Sequence, residues 1–241
     1  MRNLSLLISL LILPVVASAQ AWTSATSTEL VARLDRSAAQ FNAMDHFRLR
    51  STIMAFRNTT DVAPQETETS TVWKMGDKAK AEHMGLVSYQ NTQVRVTVIP
   101  EDRVLMVAEP QSFFDVLGKD YKMLVLSSAK SIDKREQDGS SRYRVRFAKG
   151  SDYELIEFTF DEGAWLRRVE CWWGNSIALE PDNPLTALVT PKVVLEMERP
   201  VRLTSSAIAV DPSLAIVRQG NELVPTPAYA GYEIVDNRLN P

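Results

Sequence analysis

"TVWKMGDKAKAEHMG", residues 71–85, decides what kind of sheet this chain builds. Trp73 and Met75 alternate with Lys74, and after Gly76-Asp77 the residues Ala79 and Ala81 alternate with Lys78, Lys80 and Glu82. Alternation of this kind is the period of a half-buried strand, and Gly-Asp between two alternating runs reads as a hairpin turn. A two-residue turn at Gly76-Asp77 would set Met75 against Lys78 and Trp73 against Lys80, mixing apolar and charged residues on one face. A three-residue turn from Gly76 to Lys78 instead pairs Met75 with Ala79 and Trp73 with Ala81. Register follows the buried face, so the three-residue turn is the expectation, although it places Lys74 opposite Lys80, a mildly repulsive pair. Large residues then face small ones. That arrangement either interdigitates as core or leaves a cavity open.

The same alternation continues along the chain. "HFRLRSTIMAF" sets Phe47, Leu49, Ile53 and Ala55 against Arg48, Arg50 and Thr52, and "TQVRVTVI" sets Val94, Val96 and Val98 against Gln93, Arg95 and Thr97. "RVLMVA" is apolar on both faces, as a central strand would be. "RYRVRF", "YELIEFTF" and "WLRRVECWW" follow one another across short Gly-containing turns, an antiparallel meander. "VVLEME" is a further strand, "LAIVRQGNELVPT" a hairpin turning at Gly220-Asn221, and "GYEIVDNR" a last strand. Helical spacing is confined to two places. Leu30, Val31, Leu34, Ala38 and Phe41 recur at three and four residues, with Thr26 or Ser27 as the cap. Pro110 to Gly118 reads as a short helix stopped by Gly118.

The 241-residue chain opens with Arg2, an apolar run from Leu4 to Val16, and small residues at Ala17, Ala19 and Ala21. This is the pattern of a secretory signal peptide cut after Ala19 or Ala21. The expected organisation is therefore a signal peptide at 1–19 and one domain at 20–241, whose segment from about 200 to 241 forms a C-terminal extension. Removing residues 1–19 takes away one positive charge, Arg2, and moves the net charge from −3 to −4. A weakly acidic chain of this kind excludes nucleic acid as a partner. The single cysteine, Cys171, can form no internal disulfide, so the core alone must hold the fold.

Roughly ten strands and one long helix are expected from these patterns. A helix of about 17 residues spans about 25 Å, too little to cover such a sheet. Either the sheet curls on itself or part of its concave face stays apolar and open, which is where ligands bind.

At this point the chain resembles the LolA/LolB lipoprotein-carrier (lipoprotein-sorting) family. The likeness is carried by "HFRLRSTIMAF" after the helix, by the "TVWKMGDKAKAEH" hairpin and by "DYELIEFTFDEGAWLRRVECWW", over about residues 25–200. It implies a mainly β (α+β) fold: a curled antiparallel sheet forming an incomplete half-barrel, with the N-terminal helix over the concave face. It implies acyl chains held on that face, the ligand's polar group at the mouth, and no catalysis. Such a protein is a monomeric periplasmic carrier. Its partners are a lipid or an acylated protein, and an envelope membrane protein that hands cargo over. Face assignment names Trp73, Met75, Val94, Val96, Val98, Met106, Phe113 and Phe114 as the cavity lining.

Catalytic and metal patterns are missing from the sequence. His46 and His83 have no ligand-spaced partners, no G-x-S-x-G or glycine-rich phosphate loop occurs, and the acidic pairs sit at turns. The expectation is no enzyme, no cofactor and no metal. Cys171 shares a face with Val169, Trp165 and Trp173, as a buried strand residue does. Trp172 falls among Arg168 and Glu170, where it either meets a ligand or partner or lies beneath the C-terminal segment. Arg142, Arg144 and Arg146 form a row that is either solvated or turned to acidic partners or lipid head groups. The rival reading is a closed β-protein acting as an envelope assembly factor through that row and the C-terminal segment.

Overall fold

The computed structural model describes residues 21–111, 113–178, 187–204 and 208–238, with the side chains of 113–120 left outside the description. The expected signal peptide lies outside the described residues. In chain order the elements are β1 (Thr23–Ser24), α1 (Ser27–Asn42), β2 (His46–Phe56), β3 (Glu66–Met75), β4 (Lys78–His83), β5 (Leu86–Gln90), β6 (Arg95–Ile99), β7 (Val104–Ala108), α2 (Phe113–Ser128), β8 (Ala129–Gln137), β9 (Ser140–Phe147), β10 (Tyr153–Phe160), β11 (Leu166–Trp173), β12 (Ile177–Ala178), β13 (Leu188–Val189), β14 (Lys192–Met197), β15 (Val201–Arg202), β16 (Ile216–Gln219), β17 (Glu222–Pro225) and β18 (Glu233–Asp236).

One 14-stranded sheet dominates, in the order β1-β8-β9-β10-β11-β14-β2-β3-β4-β5-β6-β7-β18, with β15 also on β2. Its pairs are antiparallel except β7 with β18, which is parallel. The sheet is curled and does not close into a barrel, as the alternating patterns lead one to expect. Strands are more numerous than expected: four are only two residues long, and β5 and β8 fall on stretches not read as strands from the sequence.

The opening hairpin corrects the expected register. Met75 pairs with Lys78, Trp73 with Lys80, Lys74 with Ala79 and Val72 with Ala81, so the turn has two residues. Gly76 sits at φ +65° while Asp77 stays out of the left-handed region. Glycine first is what a type II′ turn requires, and that turn's twist matches its flanking strands. The mixed face that alternation disfavours is satisfied because the Lys80 ammonium lies over the Trp73 ring, 5.2 Å from its centroid, an attractive cation–π contact.

α1 forms as its pattern predicts. Thr26 Oγ1 accepts from the Glu29 N–H at 3.1 Å, and Leu30, Leu34 and Phe41 are buried. Its other end is capped from the sheet, where Lys74 Nζ donates to Met44 O at 3.0 Å and Asn42 O at 3.4 Å. A cation there is favoured by the helix dipole. α2 is longer than expected and runs through Gly118 to Ser128. Tyr121, Leu124 and Val125 lie on its second half and pack into the core, so tertiary burial outweighs the roughly 1 kcal/mol that a helical glycine costs.

Two apolar cores form, and they lie on opposite faces of the sheet. The first joins α1 and the second half of α2 to one face of β8–β11, β14 and the start of β2, through side chains such as Phe47, Leu49, Val145, Phe158 and Val169. This helix-bearing face is the inner, concave one. The second core joins Tyr89, Val96, Val98, Leu105 and Val107 to Ala215, Ile216, Tyr229 and Ile234. Register puts these strand residues on the other, outer face. The C-terminal segment therefore straps the outside of β5–β7 and ends by adding β18 to the edge.

The rest of the outer face is an ion-pair ladder. Glu157 is buried and receives Arg144 at 3.0 Å and Arg142 at 3.6 Å, while Arg146 pairs with Asp133. Arg168 bridges Glu170 and Glu196. Trp22 covers one end, with the Arg144 and Arg135 guanidinium groups 4.2 and 5.0 Å from its ring. Trp172 lies on this face beside Leu155 and Lys192. The C-terminal segment lies over β5–β7 instead, so it is not what covers Trp172.

Candidate ligand-binding site

Because the buried face switches between β2 and β5, half of the inner face is left out of both cores. Following the register across the strands gives two parallel rows. The first runs Phe47, Lys74, Ala79, Gln90, Arg95, Ala108, and the second runs Leu49, Val72, Ala81, Ser88, Thr97, Met106. Alternation adds Leu86, Ile99 and Val104 further along the same face. Among the described residues Ala79, Ala81, Leu86, Ile99, Val104, Met106 and Ala108 join neither apolar cluster.

The chemistry of this half-face is mixed: apolar side chains alternate with Lys74, Gln90, Arg95, Ser88 and Thr97, and His83, opposite Leu86, and Arg95 each keep one buried nitrogen without a partner. Ala79 and Thr97 are buried, and Ala81 and Met106 are half-buried. The Ser88 and Thr97 hydroxyls hydrogen-bond each other at 2.9 Å, so they need no outside partner and do not oppose an apolar neighbour. α2 bridges over this region. Just before its start, Gln111 is bound to β5, and ten residues later Tyr121 packs edge-to-face on Phe158 at 5.6 Å, its hydroxyl 3.7 Å from Cys171 Sγ.

The two ends of the half-barrel differ. α1 crosses one end, where Ser37 Oγ accepts from the Leu166 N–H at 3.0 Å and Gln40 donates to Gly163 O at 2.7 Å. There the Gln90 carboxamide clasps the Gln111 backbone, donating to its carbonyl at 2.7 Å and accepting from its N–H at 2.9 Å. Arg95 Nη1 donates to Gln111 Oε1 at 2.6 Å. The opposite end is not crossed by α1; its turns and the short β12–β13 pair expose apolar side chains, Val62 (98 % exposed), Leu188 (69 %), Met84 (62 %) and Ile177, together with charged Glu101, Asp102, Arg103 and Lys149. Met84 has φ +50° in the Met84-Gly85 turn, a conformation that a long side chain rarely takes. With Gly85 at φ +74°, this is the backbone that a two-residue hairpin loop between β4 and β5 requires. One end is thus crossed by α1 and polar, while the other, left open by α1, mixes exposed apolar and charged side chains.

The eight residues named from sequence are not brought together. Trp73 and Met75 lie on the outer face, Trp73 beneath Lys80. Val96 and Val98 are buried on the outer face and Val94 packs beside them, all against the C-terminal strap. Met106 alone of the strand residues faces inward, opposite Thr97. Phe113 and Phe114 begin α2, and their side chains lie outside the described residues. The physical reason for the split is that the most apolar face of β6 is the one the chain covers for itself. Sequence reasoning missed Ala79, Ala81, Thr97, Gln90 and Arg95. Their signal was the less apolar side of the same strands, read in the two-residue register.

A second cleft, of about 320 Å³, opens on the outer side between Asn91–Val94 and the C-terminal strap. It includes Val94, but Gln93, Ser213, Val217 and Arg218 in its wall are exposed. Among the described residues no three His, Cys, Asp or Glu side chains gather to hold a metal ion. Burial pushes the Cys171 thiol up to about 11, which keeps it protonated and unreactive.

No protein-family model matches this chain, and no curated protein matches it. Three solved structures are similar at low identity. An uncharacterized conserved protein from Thermus thermophilus is 11 % identical with a TM-score of 0.37, over 73 % of this chain and 90 % of that one. The Mycobacterium tuberculosis lipoprotein LppX is 10 % identical with a TM-score of 0.35, over 76 % of this chain and 99 % of that one. A DUF1329 family protein from Desulfovibrio piger is 10 % identical with a TM-score of 0.32, over 76 % and 93 %. Nothing in these comparisons points to LolA or LolB specifically, and at such TM-scores the site stands on the geometry of this chain alone.

Proposed function

We propose that this protein is an exported, non-catalytic carrier that holds the acyl chain of a lipid or acylated protein on the inner face of β4–β7, beneath α2. The observation that carries this is the group Ala81, Leu86, Ile99, Val104 and Met106 on the inner half-face, outside both apolar clusters among the described residues, at the end where Val62, Met84, Ile177 and Leu188 are exposed. A chain moved from water onto such a surface gains about 0.8 kcal/mol per methylene, so shape and apolar area suffice and no reactive group is needed. Met106 adds a side chain that adapts to chains of different length. The rim at Val62, Met84, Ile177 and Leu188 supports entry from the open end. The periplasm as the site of action, a lipid or acylated protein as cargo, and a monomeric state belong to the same proposal.

The assembly-factor alternative draws little from the arginine row, because Arg142, Arg144 and Arg146 are each paired with a carboxylate. The test is native mass spectrometry of the mature protein purified without detergent, followed by organic extraction. Co-purified lipid or acylpeptide is the expected result. An apo mass that takes up neither fatty acid nor acylpeptide overturns the carrier.

A further inference from the structure

Every polar group in the closed-end row of the inner face has a partner, with one exception. Lys74 is committed to the α1 carbonyls, and Gln90 to both backbone groups of Gln111. Arg95 gives Nη1 to the Gln111 carboxamide, but its Nε is sealed from solvent with no acceptor. Among the described residues no carboxylate pairs with it. Other half-buried cations of the sheet reach a carboxylate or a ring: Arg144 pairs with Glu157, Arg168 with Glu170, and Lys134 with Glu29 and Glu136, while Lys192 lies over the Phe56 ring and Arg135, whose Nε likewise has no acceptor, over the Trp22 ring.

A guanidinium is charged at any accessible pH, and a buried N–H without an acceptor is costly to fold around. Its Nε edge has the fork shape that takes two oxygens of a carboxylate or phosphate. From Arg95 the inner face runs along β6 through Thr97 to Ile99, about 13 Å at strand rise, with Met106 and Val104 of β7 alongside. The row therefore offers one unmatched cation followed by an apolar track to the open end.

We propose that Arg95 seats the anionic head, carboxylate or phosphate, of a single-chain amphiphile whose tail runs along β6 and β7 toward the open rim. The head then lies at the closed end, opposite to the mouth position that the family resemblance implies. This rests on the carrier reading and names its ligand class.

The test uses delipidated mature protein and four probes in a fluorescence displacement assay: oleate, 1-oleoyl lysophosphatidic acid, oleyl alcohol and methyl oleate. At least one anionic probe binds about ten- to a hundredfold tighter than the two neutral ones, the range expected for a charge-assisted contact. Which anionic probe wins distinguishes carboxylate from phosphate. Arg95→Met removes the preference while leaving the neutral probes bound, and Arg95→Lys restores part of it. The wild-type preference needs no variant to fold. Equal binding of anionic and neutral probes by the wild type refutes the Arg95 seat and leaves the carrier intact. Uptake of none of the four refutes both.

Discussion

Leu105 and Met106 are neighbours on β7 that point to opposite faces, and they separate core from ligand surface. Leu105 is 0 % exposed under the C-terminal strap, whereas Met106 is half-buried on the inner face and belongs to neither cluster. Truncating either to alanine removes three heavy atoms. For Leu105→Ala the lost transfer energy of about 0.8 kcal/mol per carbon group, plus a cavity contribution, comes to about 3 kcal/mol. For Met106→Ala, on the face proposed to hold the ligand, the expected cost is about 1 kcal/mol or less. In a protein of this size each kcal/mol moves the melting temperature by about 2–4 °C. Thermal and urea unfolding of delipidated protein should thus show Leu105→Ala melting about 6–12 °C below wild type and Met106→Ala no more than about 4 °C below. Fatty-acid affinity should move the other way, falling in Met106→Ala and holding in Leu105→Ala at temperatures where both are folded. If Met106→Ala unfolds as early as Leu105→Ala in the absence of ligand, the inner face is ordinary core and the argument for a cavity fails.

Three further outcomes are expected. A Cβ at Gly174 would stand 2.7 Å from the Ser151 carbonyl oxygen, so Gly174→Ala destabilises by about 1–3 kcal/mol; a denaturation midpoint equal to wild type would show that the Ser151–Glu154 backbone yields freely. The hydrogen bond from Lys78 holds the Asp211 carboxyl below its usual range. A depressed carboxyl contributes stability that is complete above the unfolded-state value and is lost as pH falls through the folded one. The gap in urea midpoint between wild type and Lys78→Met should therefore close on acidification below about pH 4, and a gap that persists there would mean the lysine acts through packing. The buried Cys171 thiol, pushed up to about 11, should react with a disulfide reagent at about pH 8 only as fast as the protein opens; immediate labelling of folded protein would contradict its burial against Tyr121.

Much of the fold was legible because strands and helix write their period directly. Leu30, Leu34 and Phe41 mark α1 by their spacing, and Tyr143, Val145 and Phe147 mark the inner face of β9 by theirs. The Gly220-Asn221 hairpin was legible in the same way, since turn chemistry is local. What failed was non-local. The Gly76-Asp77 register turned on a cation–π contact between Lys80 and Trp73 that alternation alone scores as a mismatch. α2 ran past Gly118 because Tyr121 and Val125 are held by strands more than 30 residues away in sequence. The lining named from sequence falls on the other face for a related reason. Val94, Val96 and Val98 looked like a lining because nothing in their own strand says that residues beyond 210 will cover them. The inner residues Ala79, Thr97 and Arg95 looked like ordinary surface.

The parallel pairing of β18 with β7 also bears on when the molecule becomes whole. Glu233–Asp236 is synthesised some 130 residues after Val104–Val107, yet it supplies that strand's last neighbour. Until then β7 keeps a raw edge, and until residues 215–229 are added Tyr89, Val96, Val98, Leu105 and Val107 lie bare to water. Long-range closures of this kind are slow, because loop entropy is lost before the contact repays it. For a chain expected to cross a membrane as an unfolded thread, that delay is useful: the native state cannot lock on the wrong side while its final strand is still to come. It also defines a hazard. A molecule clipped before residue 210 would emerge with an apolar face and an open edge together, the combination that recruits a second copy into aggregates.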